Sequence, residues 1–101
     1  MTTDSEFEGE IQLKGLIAPR VTPDMIDAAI IGELSYIFPG TTLIICALRL
    51  ANGFTVTGES ACVSLENFDA ELGLKIARAN AREKIWVLEG YRLRSELAKS
   101  V

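Results

Sequence analysis

The stretch TTLIICALRLANGFTVTGESACV, residues 41–63, constrains the fold more than any other part of the chain. It is two runs rich in Ile, Leu, Val, Thr and Phe around Asn52-Gly53, the dipeptide best suited to a two-residue type I′ turn. The pattern predicts a β-hairpin. With Asn52 and Gly53 as the whole loop, Ala51 pairs with Phe54, Arg49 with Val56 and Leu48 with Thr57. Ile44, Cys46, Leu48 and Leu50 then share a face with Thr55, Thr57 and Glu59, while Ile45, Ala47, Phe54 and Val56 share the other. A lone two-stranded hairpin is marginal in water, so helices must cover one face, and a partner subunit or a third strand must meet the other.

Helical patterns flank the hairpin. In VTPDMIDAAIIGELSYIF, Thr22 suits an N-cap, Pro23 the first helical position and Asp24 the positive end of the helix dipole. Ile26, Ala29, Ile30, Leu34 and Ile37 recur at helical spacing, so the reading is one helix that Pro39-Gly40 ends. After the hairpin, Ser64 caps a long helix with two apolar seams, Phe68-Leu72-Ile76-Ala79 and Leu74-Ala77-Ala81-Ile85-Leu88. Gly73, Ala77 and Ala81 recur every four residues and permit close approach of another backbone. Asn67 and Asp69 are placed to satisfy free amides at the helix start. Gly90 is a candidate kink, beyond which Tyr91, Leu93 and Leu97 continue the pattern. The fold expected is α+β: N-terminal helix, two-stranded antiparallel hairpin, long C-terminal helix. Residues 1–20 read as a flexible or edge-forming segment, with IQLKGLI a candidate edge strand, and residues 21–101 as a single domain.

The composition narrows the function classes. The chain has 101 residues, no histidine and a net charge of −4. An acidic balance argues against nucleic acid as partner. The uncharged stretch from Leu34 to Leu48 is too short to cross a bilayer, which needs about 20 apolar residues. The acidic start lacks a signal-peptide pattern, so a cytoplasmic location is expected, with Cys46 and Cys62 as free thiols. Hydrophobic residues reach 49% without counting glycine, more than a domain of this size can hide, which predicts a homo-oligomer, dimer or higher.

GESAC, residues 58–62, places a serine between small residues where a strand gives way to a helix, the position of a nucleophile elbow. The hydrolase pattern Gly-x-Ser-x-Gly ends here in Cys62, and its triad requires a histidine. A Ser60-lysine pair would need Lys75 or Lys84 nearby. The bland reading is that Gly58, Ser60 and Ala61 are small because the chain turns there into a packed helix. Glu59 lies in a strand otherwise built of Thr, Val and Phe, and it fits a salt bridge to Arg49, Arg78 or Arg82, or a ligand contact. Cys62 reads as a small core residue, and two cysteines without histidine make no zinc site. Lys75, Arg78 and Arg82 share one helix face, either solvated or an anion-binding stripe. Trp86 and Tyr91 lie beside the expected kink as core, interface or ligand platform. The candidate binding residues are therefore Glu59, Ser60, Arg78, Arg82, Trp86 and Tyr91. No catalytic residue, metal or cofactor is expected.

Several segments carry a family resemblance: NGFTVTGESAC, ENFDAELG, KIARANAREKIW followed by LEGYRLR, and upstream VTPDMID. Together they resemble the small phage-protein family named after gene product forty-nine of coliphage N-four and gene sixty-six of Shigella phage Sf-six. Leu65 and Val87 stand where many members have proline, and the FPGTT link is shorter than usual. The resemblance implies a tailed-phage or prophage origin, hence the cytoplasm of an infected or lysogenic bacterium, and it implies no biochemical activity. The expected function is a non-enzymatic accessory protein that binds a host-process or host-defence protein. The alternative is an oligomeric protein that sequesters an anionic metabolite or nucleotide in an inter-subunit pocket. An enzyme using Glu59 or Cys62, and a structural virion component, are further classes.

Overall fold

In the computed structural model, residues 3–16 and 18–99 are described. The elements are helix α1 (Asp4–Leu13), helix α2 (Pro23–Ala29), strands β1 (Ile30–Ile37), β2 (Ile44–Leu50) and β3 (Thr55–Ser60), and helix α3 (Ala70–Lys99). The strands form one antiparallel sheet in the order β1-β2-β3. The α+β class and the long final helix agree with the sequence. The strand count does not: among the described residues there are three strands, not two.

The extra strand comes from the second half of the expected first helix. Thr22 caps α2 as read, its Oγ1 accepting from the Met25 amide at 3.3 Å, and Pro23 opens the helix. The helix ends after seven residues, and Ile30 to Ile37 run beside β2 instead. Ile30, Ile31, Tyr36 and Ile37 favour a pleated backbone, and the i, i+4 spacing of Ile30 and Leu34 also satisfies the i, i+2 period of a strand. Pro39-Gly40 accordingly builds a hairpin loop. The Phe38 amide donates to the Leu43 carbonyl at 3.1 Å, and Gly40 adopts φ +75°.

The second hairpin was placed correctly, but its register is off by one. The Leu50 amide donates to the Phe54 carbonyl at 2.8 Å, and the Gly53 amide to the Leu50 carbonyl at 2.9 Å. The loop is therefore Ala51-Asn52-Gly53, with Gly53 at φ +91°. Leu48 now pairs with Val56 and Arg49 with Thr55. A one-residue slip moves every side chain of a strand to the other face, so Val56 joins Ile44, Cys46, Leu48 and Leu50 on the buried side.

α3 packs on that side through Ala77, Ala81 and Ile85, all fully buried, and Ile26 of α2 completes the core. Gly58 marks the closest approach. A Cβ there would lie 2.2 Å from the Ala81 nitrogen and 2.3 Å from the Ala77 oxygen. The Ala77-Ala81 stripe thus receives the strand backbone, and the first glycine of GESAC is a packing requirement.

Two helical details also differ from expectation. Ser64 caps a 3-10 turn, Leu65–Asn67, and α3 itself starts at Ala70. The helix then runs unbroken through Gly90 to Lys99, without the kink suggested for that glycine. In the N-terminal segment, Asp4–Leu13 is a helix where an edge strand or flexible lead was expected, closed by a Thr3–Glu6 capping box. Met1, Thr2 and Ile17 of that segment, and Ser100 and Val101 at the other end, lie outside the described residues.

Candidate functional site

The end of β3, the link that follows it and the first turns of α3 enclose a cleft of about 330 Å³. Glu59, Ser60 and Cys62 of GESAC meet Asn67 and Asp69 of ENFDAELG there, with Leu72 and Ile76 as an apolar wall. The seam Phe68-Leu72-Ile76 read from the sequence is this wall; the other seam is the one buried on the sheet.

Most polar groups of the cleft are engaged in holding the turn. Asp69 Oδ1 accepts from the Leu72 amide at 3.1 Å, the cap expected of it. Asn80 Nδ2 donates to the Glu59 carbonyl at 2.8 Å and so pins the β3 edge to α3. Thr42 Oγ1 donates to the Cys62 carbonyl at 2.7 Å, and the Cys62 thiol to the Ser64 carbonyl at 3.1 Å. Gly73 leaves room for Ile44, whose Cδ1 lies 2.7 Å from where a Cβ of Gly73 would sit, while the Ser60 Oγ, at 3.6 Å, would be in ordinary contact with it. Among the described residues, no arginine or lysine lines the cleft. Ser60 therefore has neither the histidine that the sequence lacks nor a lysine at hand. The connection from β3 to α3 spans nine residues and includes the 3-10 turn, unlike the sharp strand-to-helix bend of an elbow.

The other four candidate residues lie elsewhere on the chain. Arg78 faces β1 and forks the Glu33 carboxylate with two 2.7 Å bonds. That hydrogen-bonded guanidinium holds Glu33 below the usual carboxylate range, with burial opposing. Arg82 pairs with Asp27 at 3.1 Å and with Asp4, joining α1 and α2 to α3. Trp86 lines a second cavity of about 320 Å³ with Phe7 and Ile11 of α1, and Tyr91 is 78% exposed. Within one chain, then, Glu59 and Ser60 are neighbours on β3 whose side chains turn to opposite faces of the sheet, Glu59 meeting the cleft through its carbonyl, and Arg78, Arg82, Trp86 and Tyr91 do not join them. Arg78 and Arg82 do share one side of α3, as their spacing indicated, but the groups they meet are carboxylates of their own chain.

Both cysteines are free. Burial pushes the Cys46 thiol up; the Glu33 charge adds to this, and Arg78 offsets part of it. Among the described residues no cluster of three or more Cys, Asp or Glu is placed to hold a metal, and no helix is long and apolar enough to cross a membrane.

A family comparison matches residues 21–97 to the Phage protein (N4 Gp49/phage Sf6 gene 66) family. The chain belongs to this phage protein family. The match takes in α2, the whole sheet, the cleft and all but the last turn of α3, while α1 falls outside it. Comparisons with curated proteins and with solved structures gave no match.

The sequence reading missed the cleft residues Thr42, Asn80 and Ile76 as site members. Asn80 had a usable signal: it is a polar side chain one helical turn beyond Ile76, on the seam otherwise read as apolar.

Proposed function

We propose that this family member is a non-enzymatic phage accessory protein that acts by binding a protein of the host, a component of a host process or defence. The observation that carries this reading is the cleft beside β3. Most of its polar groups are tied into the fold and no lysine or arginine among the described residues lines it, which leaves an apolar wall and an open strand edge as the recognition features. Leu72 and Ile76, which line it, are both exposed, a larger apolar display than a solvated helix face needs. Paired strands turn alternate backbone groups outward, and among the described residues β3 borders β2 on one side only, so Thr55 and Thr57 turn their amide and carbonyl groups to the open edge, further along β3 than the Glu59 carbonyl that Asn80 takes at the cleft. An extended segment of a partner fits such a margin by strand addition, with its side chains against the helix wall.

The anion-sequestering alternative draws less support. The cleft carries the Asp69 carboxylate and, among the described residues, no lysine or arginine to balance it, and the two arginines assigned to that role are ion-paired within the chain.

Native mass spectrometry of the protein purified from its bacterial host tests the reading. A host protein bound in fixed stoichiometry to the wild type, and lost from Ile76→Asp, is the expected outcome. A small extra mass in place of a protein would favour the ligand reading. A protein bound equally by the variant would place recognition away from the cleft.

A further inference from the structure

Among the described residues, the sheet is covered on one face only. Register fixes which side chains share the open face: Leu34 lies opposite Ala47, which lies opposite Thr57, and Tyr36 lies opposite Ile45, which lies opposite Glu59. Phe38 extends the row, its ring meeting Tyr36 edge to face at 4.8 Å. Leu34 is 73% exposed and Tyr36 55%. An antiparallel sheet that faces water is ordinarily polar on that side, and the β1–β2 half of this one is not.

Two charges flank the apolar centre. Arg49 sits opposite Gly32 at one end of the face, and Glu59 sits beside Ile45 at the other. They are four residues apart along the strands, about 13 Å. Neither has an ion-pair partner among the described residues. The Arg49 side chain lies flat over Gly32, where a Cβ would come within 2.9 Å of its Nε and Nη2. The face thus offers a cationic plate at one end, a carboxylate at the other and an aliphatic-aromatic middle.

We infer that this open face is the interface of a two-fold homodimer in which the two sheets stack with strands antiparallel. A dyad in the interface plane and perpendicular to the strands superposes opposite ends of the two faces. With the dyad over the row of Leu34, Ala47 and Thr57, each Arg49 falls between the partner's Tyr36 and the partner's Glu59. A cation over an aromatic face and a cross-subunit ion pair then form twice. A dyad parallel to the strands would instead stack the two Arg49 ends together and the two Glu59 ends together. The charges are self-complementary in one orientation only, which is the pattern of an isologous interface and not of a face kept for an unlike partner. Three strands about 4.8 Å apart and up to eight residues long give a pair of faces totalling roughly 700 Å² in flat projection, and the relief of Leu34, Tyr36 and Phe38 raises that towards the about 1,000 Å² of a specific interface. This inference is independent of host binding at the cleft, because its test reads self-association of the isolated protein.

Sedimentation velocity of the full chain, from about 1 to 100 µM, spans the range in which an interface of this size associates. The wild type is expected to be dimeric at the upper end. Leu34→Glu, a change at an exposed position of the protomer, is expected to give a folded monomer, with folding checked by circular dichroism. Arg49→Glu and Glu59→Arg are each expected to raise the dimer dissociation constant roughly ten-fold or more, and the double reversal to recover most of that loss. Four outcomes overturn the inference. A monomeric wild type leaves the face to an unlike partner, and an undiminished dimer in Leu34→Glu puts self-association on another surface. Single reversals without effect, or a double reversal no better than the singles, remove the antiparallel two-fold.

Discussion

Gly58 and Gly90 make the same residue type answer to opposite demands. At Gly58 an added methyl meets main-chain atoms of α3, which cannot swing aside as a side-chain tip could. Gly58→Ala is therefore expected to force α3 away from β3 and to cost about 3 kcal/mol, the upper end of ordinary overpacking. At Gly90, inside α3, nothing lies within 4 Å of the added carbon. There the substitution removes only unfolded-state freedom and is expected to stabilise by about 0.5–1 kcal/mol. Urea unfolding of the two variants checks both signs at once. Equal small effects would mean that the Ala77-Ala81 contact is looser than described. The sequence could indicate the small-residue stripe but not its partner, because Gly58 and Ala81 are 23 residues apart and only the register of β3 brings them together.

At the scale of elements, α1 is held through charges rather than through the core, since none of its residues is buried. Arg20 forks Glu8 at 2.5 and 2.7 Å, tying α1 to the segment that leads into α2. The hydrogen bonds from Arg20, then that from Gln12, hold the Glu8 carboxyl down at about 2, with desolvation opposing. A carboxyl depressed in the folded state contributes stability above its unfolded pKa, about 4.3, and that contribution declines below there and is lost as pH falls through about 2. Glu8→Gln should reproduce the loss at neutral pH. Amide exchange in residues 4–13 is expected to quicken roughly ten-fold while the sheet amides stay unchanged. Unchanged exchange in α1 would show that the fork does not hold it. This charge-held helix was not legible in the sequence, because its anchors, Arg20 for Glu8 and Arg82 for Asp4, are distant along the chain. β1 was missed for a related reason. Ile26, Ala29, Ile30 and Leu34 satisfy a helical period on their own, and only pairing with β2 selects the strand. The second hairpin, both α3 seams and the Asp69 cap were legible because their signals are local. GESAC and ENFDAELG stood out in the sequence, but only register and packing bring them to one cleft. The arginines did not, because a basic stripe on a helix reads the same whether it awaits a ligand or carboxylates of its own chain.

The whole molecule is elongated, and α3 is the cause. Its 30 residues span about 45 Å, whereas the longest strand, of eight, covers about 27 Å. The radius of gyration is 16.4 Å, against about 13 Å for a compact domain of 100 residues. Among the described residues Ile85 is the last buried one, so the final turns of α3 extend past the core that the sheet supports. They are reinforced locally: Arg92 pairs with Glu89 at 2.8 Å and with Glu96 at 3.1 Å, contacts within a single helix surface. Such pairs are worth only about 0.3–0.5 kcal/mol each, so the projecting helix adds little to the stability of the domain. A chain truncated after Tyr91 should still unfold cooperatively, with a Tm within about 4–8 °C of the full length, equivalent to about 1 kcal/mol for a domain of this size. Truncation after Ala79, which removes Ala81 and Ile85, should abolish cooperative unfolding. Thermal melts followed by circular dichroism distinguish the two. If the longer fragment also lost its cooperative transition, the projecting turns would have to be packed against something outside their own domain, and α3 would be part of an assembly interface rather than a free extension.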